Sequence, residues 1–212
     1  MELLQQISEN LQAGDDEKIK TLVTEAIDQK IPAKDILYNG LIPAMNIVGK
    51  KFKNNEIFLP EVLLSARAMT GGMELLKPLF IKEDVPTIGK IVIGTIHGDL
   101  HDIGKNLVAI MLKGAGFEVI DLGRDVAPEK FVQTAQEENA QVIGMSALLT
   151  TTMLGMKKVT YLLKQNGLDS KIKTVIGGAP VTEKYALEIG ADGYAGDAAS
   201  AVECVKKVIG AV

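Results

Sequence analysis

A single cysteine, Cys204, stands in 212 residues, so the chain can form no internal disulfide and offers no thiolate cluster for zinc. That fits a reducing compartment. Tryptophan is absent and aromatic residues make up 4%, which removes the stacking platforms on which single-stranded nucleic acid is held. Excess positive charge is missing too: 23 Lys and Arg against 27 Asp and Glu leave a formal net charge of −4, so neither nucleic acid nor an anionic membrane surface is an expected partner. No apolar run reaches the roughly 18–20 residues of a membrane span, and the opening MELLQQISEN has neither the basic start nor the apolar stretch of a secretion signal. A cytoplasmic location is expected. What remains is ordinary folded composition, 47% hydrophobic and 24% charged, enough for one large domain or two small ones.

Hydrophobic spacing divides the chain. Up to residue 85 it is helical: Leu3, Leu4, Ile7 and Leu11 lie along one stripe, and Ile19, Leu22, Val23 and Ile27 form another after Asp15 or Asp16 as cap. Pro32 suits the first turn of a third helix carrying Ile36, Leu37 and Leu41, with a kink at Pro43, and Pro60 opens a fourth. Four short helices predict a small, mostly antiparallel bundle. The charged stretch IKEDVPTIGK, with Pro86 and Gly89, then interrupts the pattern. Residues 86–90 are expected as a linker between a helical domain at 1–85 and a second domain at 91–212.

Beyond the linker, short apolar segments alternate with amphipathic ones. Strands are predicted at 90–96, 118–123, 141–147, 172–177 and 192–195, with helices near 104–115, 127–139, 152–166, 181–189 and 198–210. This alternation predicts an α/β domain with a doubly wound, five-stranded parallel sheet of Rossmann or flavodoxin-like type. With the strand order 2-1-3-4-5, a ligand binds outside the carboxyl ends of strands 1 and 3, where the winding reverses. The loops that follow those strands begin HGDLHDIG and SALLTTT.

The first of these loops holds both histidines of the chain. His97, Asp99, His101 and Asp102 are four potential metal ligands in six residues, so a hydrolytic metal is one reading, although no third histidine exists to complete a common catalytic zinc site. A phosphate-binding turn between Gly98 and Gly104 is another, but acids stand where phosphate would sit, and neither GxGxxG nor GxxxxGK[ST] occurs. The commonplace alternative is that Asp99 or Asp102 caps a helix and the histidines are loop residues. Two distant pieces argue against it: Asp99-x-His101-x-x-Gly104 is followed after forty-one residues by Ser146-x-Leu148, and after twenty-eight more by Gly177-Gly178.

This combination resembles the cobalamin-binding motif of methionine synthase, of B12-dependent mutases and of the small corrinoid proteins of methyltransferase systems. The resemblance implies a cobalamin or related corrinoid as cofactor, with His101 as lower ligand to cobalt and Asp99 accepting a hydrogen bond from its other ring nitrogen. Thr152 matches the third relay member, a serine in methionine synthase. Ser146 and Thr150 match hydroxyls that contact the cofactor's nucleotide tail, and Leu148 should line its channel. Gly104, Gly177 and Gly178 would let backbone approach that tail. Gly98, Asp102 and Ile103 are expected to touch the cofactor as part of the same loop. His97 falls where methionine synthase has lysine and takes no role, and Cys204, among Val202, Val205 and Val208, reads as packing.

The stretch FKNNEIFLP, residues 52–60, with EVLLSARAM after it, resembles the methionine synthase cap segment, in which a Phe and a Leu cover the methyl-bearing face of cobalt. Phe52 and Leu59 match them. The implied function is a corrinoid methyl carrier, a non-autonomous subunit moving a methyl group from a substrate-specific methyltransferase to a second methyltransferase with a thiol or tetrahydrofolate acceptor. A separate reductive activase is the expected partner for repair. Methanol, methylamines and aryl ethers are the candidate donors, and residues 82–90 are the expected hinge between cap and cofactor domain. A cobalamin storage or sensor protein is the alternative, and a metal-dependent hydrolase a more distant one. A mutase would require a substrate barrel, and a DNA-binding regulator a basic recognition helix that the first half lacks.

Overall fold

The computed structural model describes residues 2–83 and 87–211, without the side chains of Ile81 and Lys82. It divides into two compact units, Met1–Thr87 with Gly114–Gly116, and Ile88–Lys113 with Phe117–Val212. Pro86 of the expected linker, and residues 84–86 of the expected hinge, lie outside the described residues.

The first unit is helical, as the spacing predicts. Helix α1 (Glu2–Gln12) and α2 (Asp16–Asp28) each bury one stripe, with Ile7, Leu11, Ile19 and Val23 wholly excluded from solvent. Asp15 caps α2 by accepting the Lys18 N–H at 3.0 Å. Pro32 is the residue just before α3 (Ala33–Asp35), one position earlier than expected. Where the sequence suggests a kink at Pro43, the chain instead takes a π-helical stretch over Ile36–Leu41 before α4 (Ile42–Lys53). There the Ile42 N–H reaches back five residues to the Leu37 carbonyl, a wider step that adapts the ladder to a proline without an N–H. Helix α5 (Leu59–Glu83) carries Pro60 in its first turn and runs on through Pro78, as the segment opened by Pro60 suggests.

The second unit alternates strand and helix: β1 (Lys90–Thr95), α6 (Ile103–Gly114), β2 (Glu118–Asp121), α7 (Pro128–Glu137), β3 (Val142–Ser146), α8 (Leu154–Gln165), β4 (Lys173–Gly177), α9 (Glu183–Ile189), β5 (Gly193–Ala195) and α10 (Ala198–Ile209). All strands are parallel in the order β2-β1-β3-β4-β5, the predicted topology. Parallel strands covered on both faces need continuous apolar runs. β1 accordingly buries Val92 in the same core as Phe131, Ile143, Met156 and Ile176, while Ile91 and Ile93 alternate to the opposite face. Helix α8 starts at Leu154, two residues later than predicted, because Thr152 is drawn into a turn.

Register places the sequence-distant pieces in one row. Thr95 pairs with Ser146, Ser146 with Gly177, and Gly177 with Ala195, all at the carboxyl ends of their strands. Among the described residues no helix is long and apolar enough to cross a membrane. Phe131 fixes the packing of α7 on the sheet and is fully buried. Phe131→Ala is expected to cost about 3–5 kcal/mol, read as a fall in the urea midpoint of unfolding.

Candidate functional site

Strands β1 and β3 are neighbours although their crossovers leave in opposite directions, so the loops after them face each other. Asp99, in the first loop, joins the two. Its side chain is fully buried, and its two oxygens meet five donors. Oδ1 accepts the His101 N–H at 3.0 Å and lies 2.8 Å from His101 Nδ1; Oδ2 accepts the N–H groups of Leu148 at 2.7 Å and Leu149 at 3.2 Å. The Thr152 hydroxyl lies 2.8 Å from the same Oδ2 and 2.9 Å from the Leu149 carbonyl, alternative acceptors for its one proton.

Burial alone would push the Asp99 carboxyl up. The N–H groups of Leu148 and His101, then the His101 ring and the Thr152 hydroxyl, outweigh it and hold the group well below the usual carboxylate range. An ionised carboxylate only accepts, so it selects the His101 tautomer with the proton on Nδ1. The ring, 54% exposed, is left with Nε2 as its free electron pair. Thr95, buried at the end of β1, donates its hydroxyl to the His101 carbonyl at 2.9 Å and so ties that residue's backbone to the sheet.

The remaining predicted residues separate. His97 turns away, its Nδ1 2.8 Å from Asp125 Oδ1, so the four potential metal ligands of the loop do not converge. Among the described residues no group of three or more His, Cys, Asp or Glu side chains is placed to hold a metal ion, which removes the geometry that a hydrolytic centre needs. Asp102 rather than Asp99 stands at the start of α6, its carbonyl accepting the Asn106 N–H at 2.8 Å. Gly98 has φ +82 as the third residue of a turn closed by Asp99 N–H to Ile96 O at 3.1 Å, the place where such turns require glycine.

Gly104 faces open space: a Cβ there would meet nothing within 4 Å, so internal packing leaves room beside the first turn of α6. Gly177 and Gly178 differ. A Cβ on Gly177 would lie 2.8 Å from the Ala195 carbonyl oxygen, and one on Gly178 only 1.8 Å from that of Ala147, so the backbone crossing itself demands glycine. Ser146 ends β3, Thr150 is exposed in the following loop, and Leu148, Leu100 and Ile103 present 44%, 61% and 77% of their surface. An acidic relay behind one free imidazole nitrogen, with exposed apolar residues and open backbone around it, is a donor set and surface suited to a flat macrocycle carrying a metal. Phe52, in the last turn of α4, and Leu59, the first residue of α5, belong to the helical unit.

Thr95, Asp125 and the Leu148 and Leu149 N–H groups escaped the sequence reading. A lone hydroxyl in the apolar run IVIGTI was an available signal, because a buried hydroxyl needs a partner. Backbone donors carry no residue-type signal at all.

A family model described as a B12 binding domain matches residues 89–205, and a second model with the same description matches residues 3–77. A corrinoid protein of Desulfitobacterium hafniense is 42% identical, covering 99% of each chain. Dimethylamine corrinoid protein 2 of Methanosarcina mazei is 44% identical over 98% of this chain and 97% of its own. Among solved structures, the methanol:cobalamin methyltransferase complex MtaBC of Methanosarcina barkeri matches with a TM-score of 0.85 and 32% identity, covering 100% of this chain and 81% of that one.

The depressed carboxyl of Asp99 has a consequence for stability. A carboxylate favoured by folding adds stability above its unfolded-state pKa, about 3.9, and that contribution drains away as pH falls toward the lower folded value. Asp99→Asn turns an amide NH2 toward donors and is expected to cost about 2 kcal/mol at pH 7. The gap from wild type should narrow below about pH 4, as measured by denaturant unfolding against pH.

Proposed function

Because the chain belongs to the family of B12-binding corrinoid proteins, we propose that it carries a methyl group between two methyltransferases, with His101 as the protein ligand to the corrinoid's metal. The observation that carries this reading is the buried Asp99, which fixes the His101 ring with Nδ1 protonated and Nε2 outward. When bound, the corrinoid supplies a cobalt centre able to take up and surrender a methyl group.

The chain's own residues then have separate tasks. His101 would hold the metal through Nε2, while Asp99 accepts from Nδ1–H and keeps the ring turned for that contact. Thr152 and the Leu148 and Leu149 N–H groups keep Asp99 charged, so the imidazole stays a strong donor. Gly98, Asp102, Ile103 and Gly104 form the loop wall against the cofactor. Ser146 and Thr150 offer hydroxyls to its tail, Leu148 lines the channel, and Gly177 and Gly178 bring backbone to its edge. Phe52 and Leu59 are the cap over the methyl-bearing face. The division of labour is 1–85 for the cap and 91–212 for the cofactor, with 86–90 as linker.

One partner is a methyltransferase specific for the methyl donor. Similarity to dimethylamine corrinoid proteins supports dimethylamine as a donor class, and similarity to the methanol:cobalamin methyltransferase complex supports methanol. The second partner passes the methyl to a thiol or to tetrahydrofolate, a reductive activase returns oxidised cofactor to the cycle, and the whole system works in the cytoplasm.

The test is reconstitution of the full chain with hydroxocobalamin, followed by its visible spectrum. Wild type is expected to show the histidine-ligated form, and His101→Ala to bind corrinoid while losing that form; an identical spectrum in the variant overturns the assignment. Thr152→Val is expected to weaken histidine ligation by about tenfold and Thr152→Ser to preserve it, read from the acid midpoint at which the ligated spectrum disappears.

A further inference from the structure

Asp125 lies in the loop after β2, outside the segments from which the cofactor site has been built, yet it touches three consecutive residues of the histidine loop. Its Oδ1 accepts the Gly98 N–H at 2.7 Å and lies 2.8 Å from His97 Nδ1, and its own N–H donates to the Asp99 carbonyl at 3.1 Å. The flanking backbone runs alongside β1 as well: Thr95 N–H donates to Gly123 O at 2.9 Å, and Val126 N–H to Thr95 O at 3.0 Å. Asp125 holds this place with φ +57, a left-handed conformation that aspartate tolerates better than most side chains.

We infer that Asp125 is a positioning residue for the metal-ligand loop, with the His97 ring steadying its carboxylate. The argument turns on the His97–Gly98 peptide. It is the central peptide of the turn from Ile96 to Asp99, the unit that rotates when a β-turn changes type. Gly98, at φ +82, has no Cβ to resist that rotation, and the Asp125 carboxylate grips the N–H of this very peptide. Rotation there would swing Asp99 and with it the acceptor of His101 Nδ1. Asp99 is therefore held from two sides, its carboxylate by the loop after β3 and its backbone by the loop after β2. Asp125 is 48% exposed, so its hydrogen bonds add little to global stability, and their effect falls on loop geometry. This also gives His97 a task other than ligation.

The inference rests on His101 being the lower ligand, and the experiment separates the two. Full-length wild type, His101→Ala, Asp125→Gly and Asp125→Asn are reconstituted with hydroxocobalamin, and the acid midpoint of the histidine-ligated spectrum is measured, alongside thermal unfolding of the cofactor-free proteins. Asp125→Gly removes the carboxylate while relieving the left-handed backbone; Asp125→Asn keeps one oxygen in place for both Gly98 and His97. Asp125→Gly is expected to weaken ligation about threefold to tenfold, moving the midpoint up by about 0.5–1 pH unit, because protons then displace a poorer ligand more easily. Asp125→Asn should stay within about 0.3 unit of wild type, and the melting temperatures should be alike. An unmoved midpoint in Asp125→Gly, or equal shifts in both variants, overturns the inference while leaving the His101 assignment intact. A wild-type spectrum indifferent to His101→Ala removes the underlying reading, and this inference with it.

Discussion

A carboxylate taken wholly out of water keeps its charge only if donors replace the lost hydration, and Asp99 is kept charged by backbone and side-chain donors from two loops. Every other feature of the site depends on that substitution. It sets the His101 tautomer, directs Nε2 outward, and makes the loop after β3 a structural partner of the loop after β1. Should those N–H groups be misplaced, burial would protonate the acid, and the imidazole would lose the charged acceptor that fixes its tautomer.

The sheet supplies the geometry for this. A parallel order of β2-β1-β3-β4-β5 puts the reversal of winding between β1 and β3, and the row Thr95, Ser146, Gly177 and Ala195 aligns four strand ends at one height. At that level the backbones crowd so closely that Gly178, with φ +121 and the Ala147 carbonyl where a Cβ would lie, admits no side chain. The glycine pair thus has an internal reason to exist, whatever it also offers to a cofactor. Gly104 has no such reason, since its surroundings are open, and it is the better sign of a surface kept clear for a ligand.

The helical unit shows the same economy of local rules bent by context. Spaced apolar residues form its helices and Asp15 caps one of them, but Pro43 is absorbed by a π-helical step rather than a kink. Position along the helix, and the ability of a neighbouring turn to widen, decided that outcome.

Much was legible in the amino-acid order alone. Hydrophobic runs bounded by glycine placed all five strands within two residues of their observed ends, because a strand buried on both faces leaves few choices of residue. The spacing from Asp99 and His101 to Ser146 and Gly177 pointed to the family, and the pairing of Asp99 with His101 was legible only as what that resemblance implies. Thr152 was readable only as a motif position, and the start of α8 was misjudged because its hydroxyl serves Asp99 instead of the helix. The Leu148 and Leu149 N–H groups that help keep Asp99 ionised, and the grip of Asp125 on the Gly98 peptide, were invisible. The reason is physical: residue type and spacing determine which segments are buried and where the chain turns, whereas a backbone N–H looks the same in every residue. Only the packing of two loops at the carboxyl ends of β1 and β3 decided which of those groups point at a common carboxylate.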